Sequence, residues 1–248
     1  MKSRQQSPIE CRDLSGAEIR WGGPDGASPL RVSDLWRLAS RLPFAVSLAR
    51  AAVRDPRAFW ITALAVRRHR ALQKPLELCG YLSFLRRRRI LRIMEIGTLW
   101  GGTFFAHCAV TEPSGHVIAM DSFPDESAEW MSRRYRRLAR THQRVTCIWK
   151  DSHASDTVRE VEAALKGASL DVLFLDGDHS FAGVKRDFDA YSPFVRTGGV
   201  IAFHDIASAA DDGVPAFWRS LQGRYESVEF VDRVHPPQGL GIGVIVKG

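Results

Sequence analysis

Cysteine is scarce. The chain has four, Cys11, Cys79, Cys108 and Cys147, widely scattered and without a Cys-x-x-Cys pair, so neither a zinc ribbon nor a disulfide framework is signalled. Cys108 and Cys147 sit in apolar segments and read as buried thiols, which suits a reducing compartment. Long hydrophobic runs are also lacking: the longest, residues 58–66, falls far short of the ~20 residues that cross a bilayer. The N-terminal MKSRQQSPIECRD is polar and has no apolar core of a secretory signal. The expectation is a cytoplasmic protein with no membrane partner. No internal repeat suggests a solenoid. Acidic residues are few before residue 93, where basic ones outnumber them more than twofold, whereas acidic residues prevail in the rest. The net charge of +7 therefore belongs to the N-terminal part. It reads as a solvated arginine-rich helical surface, because a nucleic-acid enzyme more often carries its basic patch around the site. No nucleic-acid partner is expected.

What is present, 45% hydrophobic residues in a chain of 248, suffices for one large domain or one domain with a helical extension. Residues 1–30 are polar, with Gly22-Gly23-Pro24-Asp25-Gly26, and read as a lead-in. Residues 31–89 read as a helical N-terminal extension. Ser33 opens a short helix ending near Pro43. Asp55-Pro56 pairs a capping acid with a proline at the first position of a helix to about Leu72, and another helix runs from Pro75 to about Arg87. Over residues 90–248 short β-rich apolar runs (91–96, 117–120, 145–149, 170–175, 200–203) alternate with segments of helical length (103–110, 126–140, 155–165, 181–194). Such alternation argues for an α/β domain around a parallel sheet. Residues 228–231 and 242–246 are strand-like with no room for a crossover helix between them, so they are expected to pair antiparallel.

The strands end in residues that carry chemistry. Ile93-Met94-Glu95-Ile96-Gly97-Thr98-Leu99-Trp100-Gly101-Gly102-Thr103 runs from a strand into a glycine-rich turn that opens a helix. Such a turn lets a ligand approach the backbone and offers it free amides, although many α/β folds use the same glycines for packing. It departs from G-x-G-x-x-G because the second glycine is missing. Glu95 is an acid inside the strand end, costly there without a partner. The next strand ends in Asp121, placed as an acid that takes the two hydroxyls of a ribose. The third ends in Lys150-Asp151-Ser152. Either acid alone could cap the following helix. Together they outline a crevice at the carboxyl edge of one sheet, where open α/β sheets bind ligands. The apolar run 172–175 then stops at Asp176-Gly177-Asp178-His179, and the run 200–203 stops at His204-Asp205.

The series EIGTLWGG, VIAMDSF, KDS, FLDGDHSFAGVKRDF and GGVIAFHDI resembles the class I S-adenosylmethionine-dependent methyltransferases. Within them it looks most like the small-molecule O-methyltransferases of bacterial natural-product pathways: the macrolide-sugar, cephalosporin-pathway and catechol O-methyltransferase-like enzymes. The resemblance covers about Gln73 to the C-terminus, and no motif places residues 1–72. It implies a Rossmann-like seven-stranded sheet, mostly parallel with an antiparallel last strand. It also implies S-adenosylmethionine as methyl donor and a hydroxyl of a small secondary metabolite, a sugar included, as acceptor. It assigns Glu95, Gly97, Gly101 and Gly102 to the loop around the methionine part of the donor, Asp121 to the ribose hydroxyls, and Asp151 and Ser152 to the adenine. Asp176 and the pair His204-Asp205 match positions that bind Mg²⁺, and His179 matches a general base.

The chemistry of these residue types agrees. Two carboxylates at close range repel unless they share a cation. Magnesium prefers oxygen ligands and keeps several waters, and a metal lowers the pKa of a hydroxyl bound to it. An imidazole has an unperturbed pKa of about 6.5, near working pH. One departure stands out: related enzymes usually carry Glu-Asp or Asp-Asn where this chain has His204-Asp205. Imidazole is a poorer ligand for magnesium and suits zinc, iron or nickel better. Three readings stay open: His204 is not a ligand, the metal is not magnesium, or the site is metal-free and His204 assists the base. Asp178 reads as capping the helix from Phe181 or orienting a neighbour, and Lys185, Arg186 and Asp187 as solvated helix surface. The N-terminal helices and the loop 206–213 are placed to cover the acceptor; Trp100, Trp130 and His235 are candidates for acceptor contact, with core packing an equal reading of the tryptophans, and the segment 59–66 reads equally as a homo-oligomer contact through the N-terminal helices or as a core helix. Two other readings remain: a non-catalytic partner protein that keeps the fold, and a nucleic-acid methyltransferase, against which no N-P-P-Y signature is found.

Overall fold

The computed structural model describes residues 45–209, 212–233 and 240–248, all within one compact unit, Leu42–Gly248. The lead-in, the helix expected over 33–43 and His235 lie outside the described residues. A helix over 45–54 (α1) is followed by α2 (Pro56–His69), α3 (Pro75–Leu85), β1 (Arg92–Ile96), α4 (Gly102–Val110), β2 (His116–Asp121), α5 (Asp125–Leu138) and β3 (Arg144–Trp149). Then come α6 (Ser155–Leu165), β4 (Leu170–Leu175), α7 (Phe181–Tyr191), a 3₁₀ turn (Ser192–Phe194), β5 (Val195–His204), α8 (Val214–Leu221), β6 (Glu226–Phe230) and β7 (Ile242–Val246). Among the described residues no helix is long and apolar enough to cross a membrane.

The seven strands form one sheet in the order β3-β2-β1-β4-β5-β7-β6. β1 to β5 pair in parallel, and β7 runs antiparallel to both β5 and β6. The two C-terminal strands therefore pair as expected. The order reverses at β1, whose neighbours are β2 and β4, so the crevice at the carboxyl edge lies where open α/β sheets bind ligands.

Alternation along each strand sorts the core into two layers. On one face Ile93, Val117, Ala119, Val172 and Phe174 meet Leu78, Leu82 and Phe104 from α3 and α4. On the other, Met94, Ile96, Leu173, Leu175 and Phe203 meet Val161, Val184 and Trp218 from α6, α7 and α8. Burial on both faces explains why residues 172–175 of β4 form a continuous apolar run. The helices start where their sequences say: Asp55 accepts a hydrogen bond from the Ala58 amide at 3.0 Å, ahead of Pro56. α2 and α3 pack against α4, and α3 also packs against β6. The described part of the N-terminal extension thus completes one face of the α/β unit. α8 has no counterpart in the sequence reading. Its Trp218 is buried against Phe203 of β5, ring centroids 5.7 Å apart, and a helix this short draws most of its stability from such packing.

Candidate functional site at the carboxyl edge of the sheet

A cleft of about 510 Å³ opens at the carboxyl ends of β1 to β5. Its floor begins at Gly97. The Gly97 amide donates to the Met120 carbonyl and the Asp176 amide to the Ile96 carbonyl, both at 2.9 Å, which draws the ends of β1, β2 and β4 together. Gly97 has φ +81°, and a Cβ there would lie 1.9 Å from the Asp176 carbonyl oxygen. The position is thus closed to any side chain, by conformation and by space. Gly97→Ala is expected to destabilise the fold by about 3 kcal/mol or more, read as the shift in the urea unfolding midpoint; an unchanged midpoint would contradict this placement.

Asp121, at the end of β2, lines the cleft and holds the turn after β1. Its Oδ2 accepts from the Leu99 amide at 2.7 Å and its Oδ1 from the Ser122 amide at 2.8 Å. Leu99 itself sits at φ 45°, in the left-handed region. The Tyr135 hydroxyl, donating toward the Thr98 and Leu99 carbonyls, and Arg134, donating to the Trp100 carbonyl, secure the same turn from α5. Each Asp121 oxygen accepts one of these hydrogen bonds and keeps acceptor capacity for another.

The other residues matched to the donor divide. Asp151 and Ser152 line the cleft with Gly97 and Asp121. Gly101 and Gly102 do not: a Cβ on Gly101 would meet Leu138 at 2.8 Å, and one on Gly102 would meet the Ala71 backbone at 2.2 Å. These two glycines serve helix and segment packing. Glu95 faces away from the cleft, as alternation with Ile96 requires. It is 1% exposed, with Oε2 2.7 Å from His107 Nδ1, and the Tyr81 hydroxyl lies 3.1 Å from His107 Nε2. Burial raises Glu95 well above the usual carboxylate range, with the charges of Asp176 and Asp121 adding to it, and burial lowers His107 to about 3. Both directions favour the neutral pair, in which the proton between Glu95 Oε2 and His107 Nδ1 rests on the carboxyl. Glu95→Gln preserves shape and donor, so it should change stability by less than about 1 kcal/mol, whereas Glu95→Ala should cost about 2–4 kcal/mol. Thermal unfolding of the two variants checks this, and equal losses would contradict a neutral Glu95.

Behind Asp151 and Ser152, His153 Nε2 lies 3.3 Å from Asp187 Oδ1. Asp187 is 1% exposed, which corrects its reading as solvated surface: it points inward from α7 to the loops after β3 and β4. Lys185 and Arg186 on the same helix are exposed, as expected. The cap of α7 is Ser180, whose Oγ accepts from the Gly183 amide at 3.0 Å. Asp178 accepts from the Ser180 amide at 2.9 Å, so it orients its neighbour and is not itself the cap.

At the far end of the cleft β4 and β5 deliver their terminal residues together. Leu175 pairs with Phe203, so Asp176 stands level with His204. Asp205, at φ 63°, turns back toward them. His204 Nδ1 donates to Asp176 Oδ1 at 3.0 Å and lies 3.2 Å from Asp205 Oδ1. His179 Nε2, on a side chain 57% exposed, lies 3.4 Å from Asp176 Oδ1 and 3.6 Å from Asp205 Oδ2. Burial opposes ionisation of Asp176, but His204 and His179 outweigh it and hold the carboxyl below its usual range. The hydrogen bond to Asp176 raises His179. His204 is raised too, because the neighbouring carboxylates outweigh its burial. Burial raises Asp205.

A divalent ion fits this cluster. Donor atoms of Asp176, His179 and Asp205 lie within 4.8 Å of one another, and Asp205 Oδ1 is buried without a hydrogen-bond partner among the described residues. His204 is outside the group: its Nδ1 is engaged by Asp176, and its buried Nε2 has no partner among the described residues. Trp100 and Trp130 are about half exposed and do not line the cleft.

Three contributions were not foreseen from sequence. Leu72, between α2 and α3, and Leu240, before β7, line the cleft. Glu77 on α3 is buried and accepts from the amides of Asp232 at 2.8 Å and Gly241 at 3.0 Å. It thereby fixes both shoulders of the connection between β6 and β7. Gln73 donates from Nε2 to Asp176 Oδ2 at 2.9 Å. No local pattern announces these residues, because each acts on a partner far along the chain.

Residues 94–206 match the methyltransferase domain family. Protein y4gI of Sinorhizobium fredii (strain NBRC 101917 / NGR234) is 27% identical over 163 residues, 63% of this chain, and the match spans 17% of that protein's length. Among solved structures, the O-methyltransferase TomG of Streptomyces achromogenes, involved in tomaymycin synthesis and determined with S-adenosylmethionine, aligns with a TM-score of 0.54 at 20% identity. It covers 77% of this chain and 90% of TomG. The MycE methyltransferase of the mycinamycin pathway, determined with Mg and S-adenosylhomocysteine, aligns with a TM-score of 0.54 at 17% identity, over 93% of this chain and 68% of MycE. The likenesses to solved structures show a Rossmann-like fold shared with these methyltransferases.

Proposed function

With a methyltransferase domain over residues 94–206 as the premise, we propose that this chain is an S-adenosylmethionine-dependent O-methyltransferase. The acceptor is a hydroxyl of a small secondary metabolite, sugars included, and neither nucleic acid nor membrane is a partner. The single observation that carries this reading is the convergence of Asp176, His179 and Asp205 in the same cleft as Gly97 and Asp121. The first group suits hydroxyl activation, and the second suits a nucleoside donor.

In this reading Asp121 receives the ribose hydroxyls, and Asp151 and Ser152 flank the adenine. Gly97 admits the methionine part against the backbone. Glu95, Gly101 and Gly102 support the turn from behind. Asp176 and Asp205 would hold a divalent ion, magnesium by the chemistry of two carboxylates, which when bound supplies positive charge that favours the ionised acceptor oxygen. His179 takes the acceptor proton, and the flanking carboxylates stabilise the imidazolium so formed. The oxygen attacks the methyl carbon, the sulfonium C–S bond breaks, and S-adenosylhomocysteine leaves. Placing donor and acceptor in line supplies much of the acceleration. His204, held by Asp176, supports the carboxylates.

Calorimetric titration with S-adenosylhomocysteine tests the donor half of this reading. Saturable binding is expected, and absence of heat at millimolar ligand would overturn it. Asp121→Ala should weaken that binding about 10–100-fold, the loss expected for hydrogen bonds to a charged group. An unchanged affinity would remove Asp121 from the donor site.

A further inference from the structure

We infer that Gln73, with Thr103 behind it, is a positioning residue that sets the orientation of the Asp176 carboxylate in the cleft. The inference rests on the proposed role of Asp176 and extends it to a residue of the N-terminal extension.

The geometry is directional. Gln73 is 4% exposed and sits between α2 and α3. Thr103 Oγ1 lies 2.5 Å from Gln73 Oε1, and Gln73 Nε2 lies 2.9 Å from Asp176 Oδ2. An ionised carboxylate only accepts hydrogen bonds, so the amide must turn its NH₂ toward Asp176. Its carbonyl then faces Thr103, whose hydroxyl must donate. Each member has one possible role, and the chain reads Thr103 O–H to Gln73 carbonyl, then Gln73 N–H to Asp176. Thr103 is itself buried and belongs to the first turn of α4, the helix opened by the glycine-rich turn. The relay therefore joins the turn at the donor end of the cleft to the acid at the other end.

The consequence lies in how the two carboxylate oxygens are divided. Oδ2 is taken by a neutral amide. Oδ1 faces His204 at 3.0 Å and His179 at 3.4 Å, and His179 belongs with Asp176 and Asp205 to the group that can hold an ion. With Gln73 on Oδ2 and His204 on Oδ1, the plane of the Asp176 carboxylate is held from both sides, and each oxygen keeps one lone pair. On the Oδ2 side that plane is fixed by a residue that does not itself line the cleft. Partners of this kind set ligand orientation, and their loss typically costs about 10–100-fold in metal affinity or activity.

The test uses the full chain with Gln73→Leu, Thr103→Val and Asp176→Asn, alone and combined. Mn²⁺ affinity and the ring ¹⁵N resonances of His179 and His204 are measured, with S-adenosylhomocysteine affinity alongside. Gln73→Leu should weaken Mn²⁺ about 10-fold or more and shift the His204 resonances, while S-adenosylhomocysteine binding stays within about twofold. Thr103→Val, which leaves Gln73 in place, should act in the same direction at smaller size, and it serves if Gln73→Leu fails to fold. In the Asp176→Asn background, Gln73→Leu should shift the histidines no further, because its effect runs through the carboxylate. The inference is overturned if the histidine resonances are unmoved by both variants, or if Gln73→Leu shifts them equally with and without Asp176. Failure of the native protein to bind S-adenosylhomocysteine is a separate result that overturns the functional reading alone. The histidine resonances read the relay whether or not Mn²⁺ binds.

Discussion

Asp176→Ala is expected to lower methyl transfer by more than about 10³-fold while leaving S-adenosylhomocysteine affinity within about threefold. Asp176 is the node of the acid cluster: Gln73 donates to one oxygen at 2.9 Å, His204 to the other at 3.0 Å, and His179 stands 3.4 Å away. Its removal takes one of two carboxylates from any bound ion and leaves the Gln73 amide buried without its acceptor, at about 1–3 kcal/mol, and His204 Nδ1 with Asp205 Oδ1 alone within reach among the described residues, at 3.2 Å. The imidazoles lose the larger of the carboxylate influences that raise them, while Asp205 remains. The end of the cleft proposed for the donor, at Gly97, Asp121 and Asp151, is built by β1 to β3, and the Asp176 side chain reaches it only indirectly, through Gln73 and Thr103. Initial rates with an acceptor that the native protein turns over, beside calorimetry, separate the two halves. A native rate would remove Asp176 from the chemistry, and a parallel loss of S-adenosylhomocysteine binding would show that the cleft as a whole had collapsed. Activity undiminished in EDTA would remove the metal from the account while leaving this prediction intact.

His179→Ala is the second large effect: kcat should fall about 10²–10⁴-fold, the usual worth of a positioned general base. His179 is the exposed member of the cluster, at 57%, with Nε2 between Asp176 and Asp205. It can meet an incoming hydroxyl without rearranging the core, and the two carboxylates stabilise its protonated form. His179→Gln keeps a hydrogen-bonding side chain but cannot take a proton at neutral pH, so it should be nearly as slow as alanine. That distinguishes proton transfer from binding. Should His179→Gln turn over at close to the native rate, His179 is not the base. If both variants instead lose Mn²⁺ binding together with rate, the histidine acts as the third ligand of the ion.

The architecture was legible because its signals are local. Apolar runs of strand length, helix-length segments and the Asp55-Pro56 start depend on neighbours within a turn or a pleat, and the structure reproduces them to within a few residues. The acids at Asp121, Asp151, Asp176 and Asp205 were legible because a buried strand that stops at a carboxylate marks its own end. The register between β4 and β5, Leu175 opposite Phe203, then makes neighbours of Asp176 and Asp205. α8 escaped notice because it is only eight residues long, although its apolar face is well marked, and its Trp218 packs against Phe203 of β5.

From the chain order alone came the strand-helix alternation, the glycine-rich turn and the series of acids at strand ends, since these follow from side-chain period and turn chemistry. Packing alone decided which of those residues face the cleft. It turned Glu95 into the core beside His107, buried Asp187 behind the loops, gave Gly101 and Gly102 to helix contacts, and brought Gln73 to Asp176 across 103 positions of sequence. The reason is physical: a residue's partner across the fold is set by where crossovers and helices come to rest, and no spacing along the chain encodes that distance.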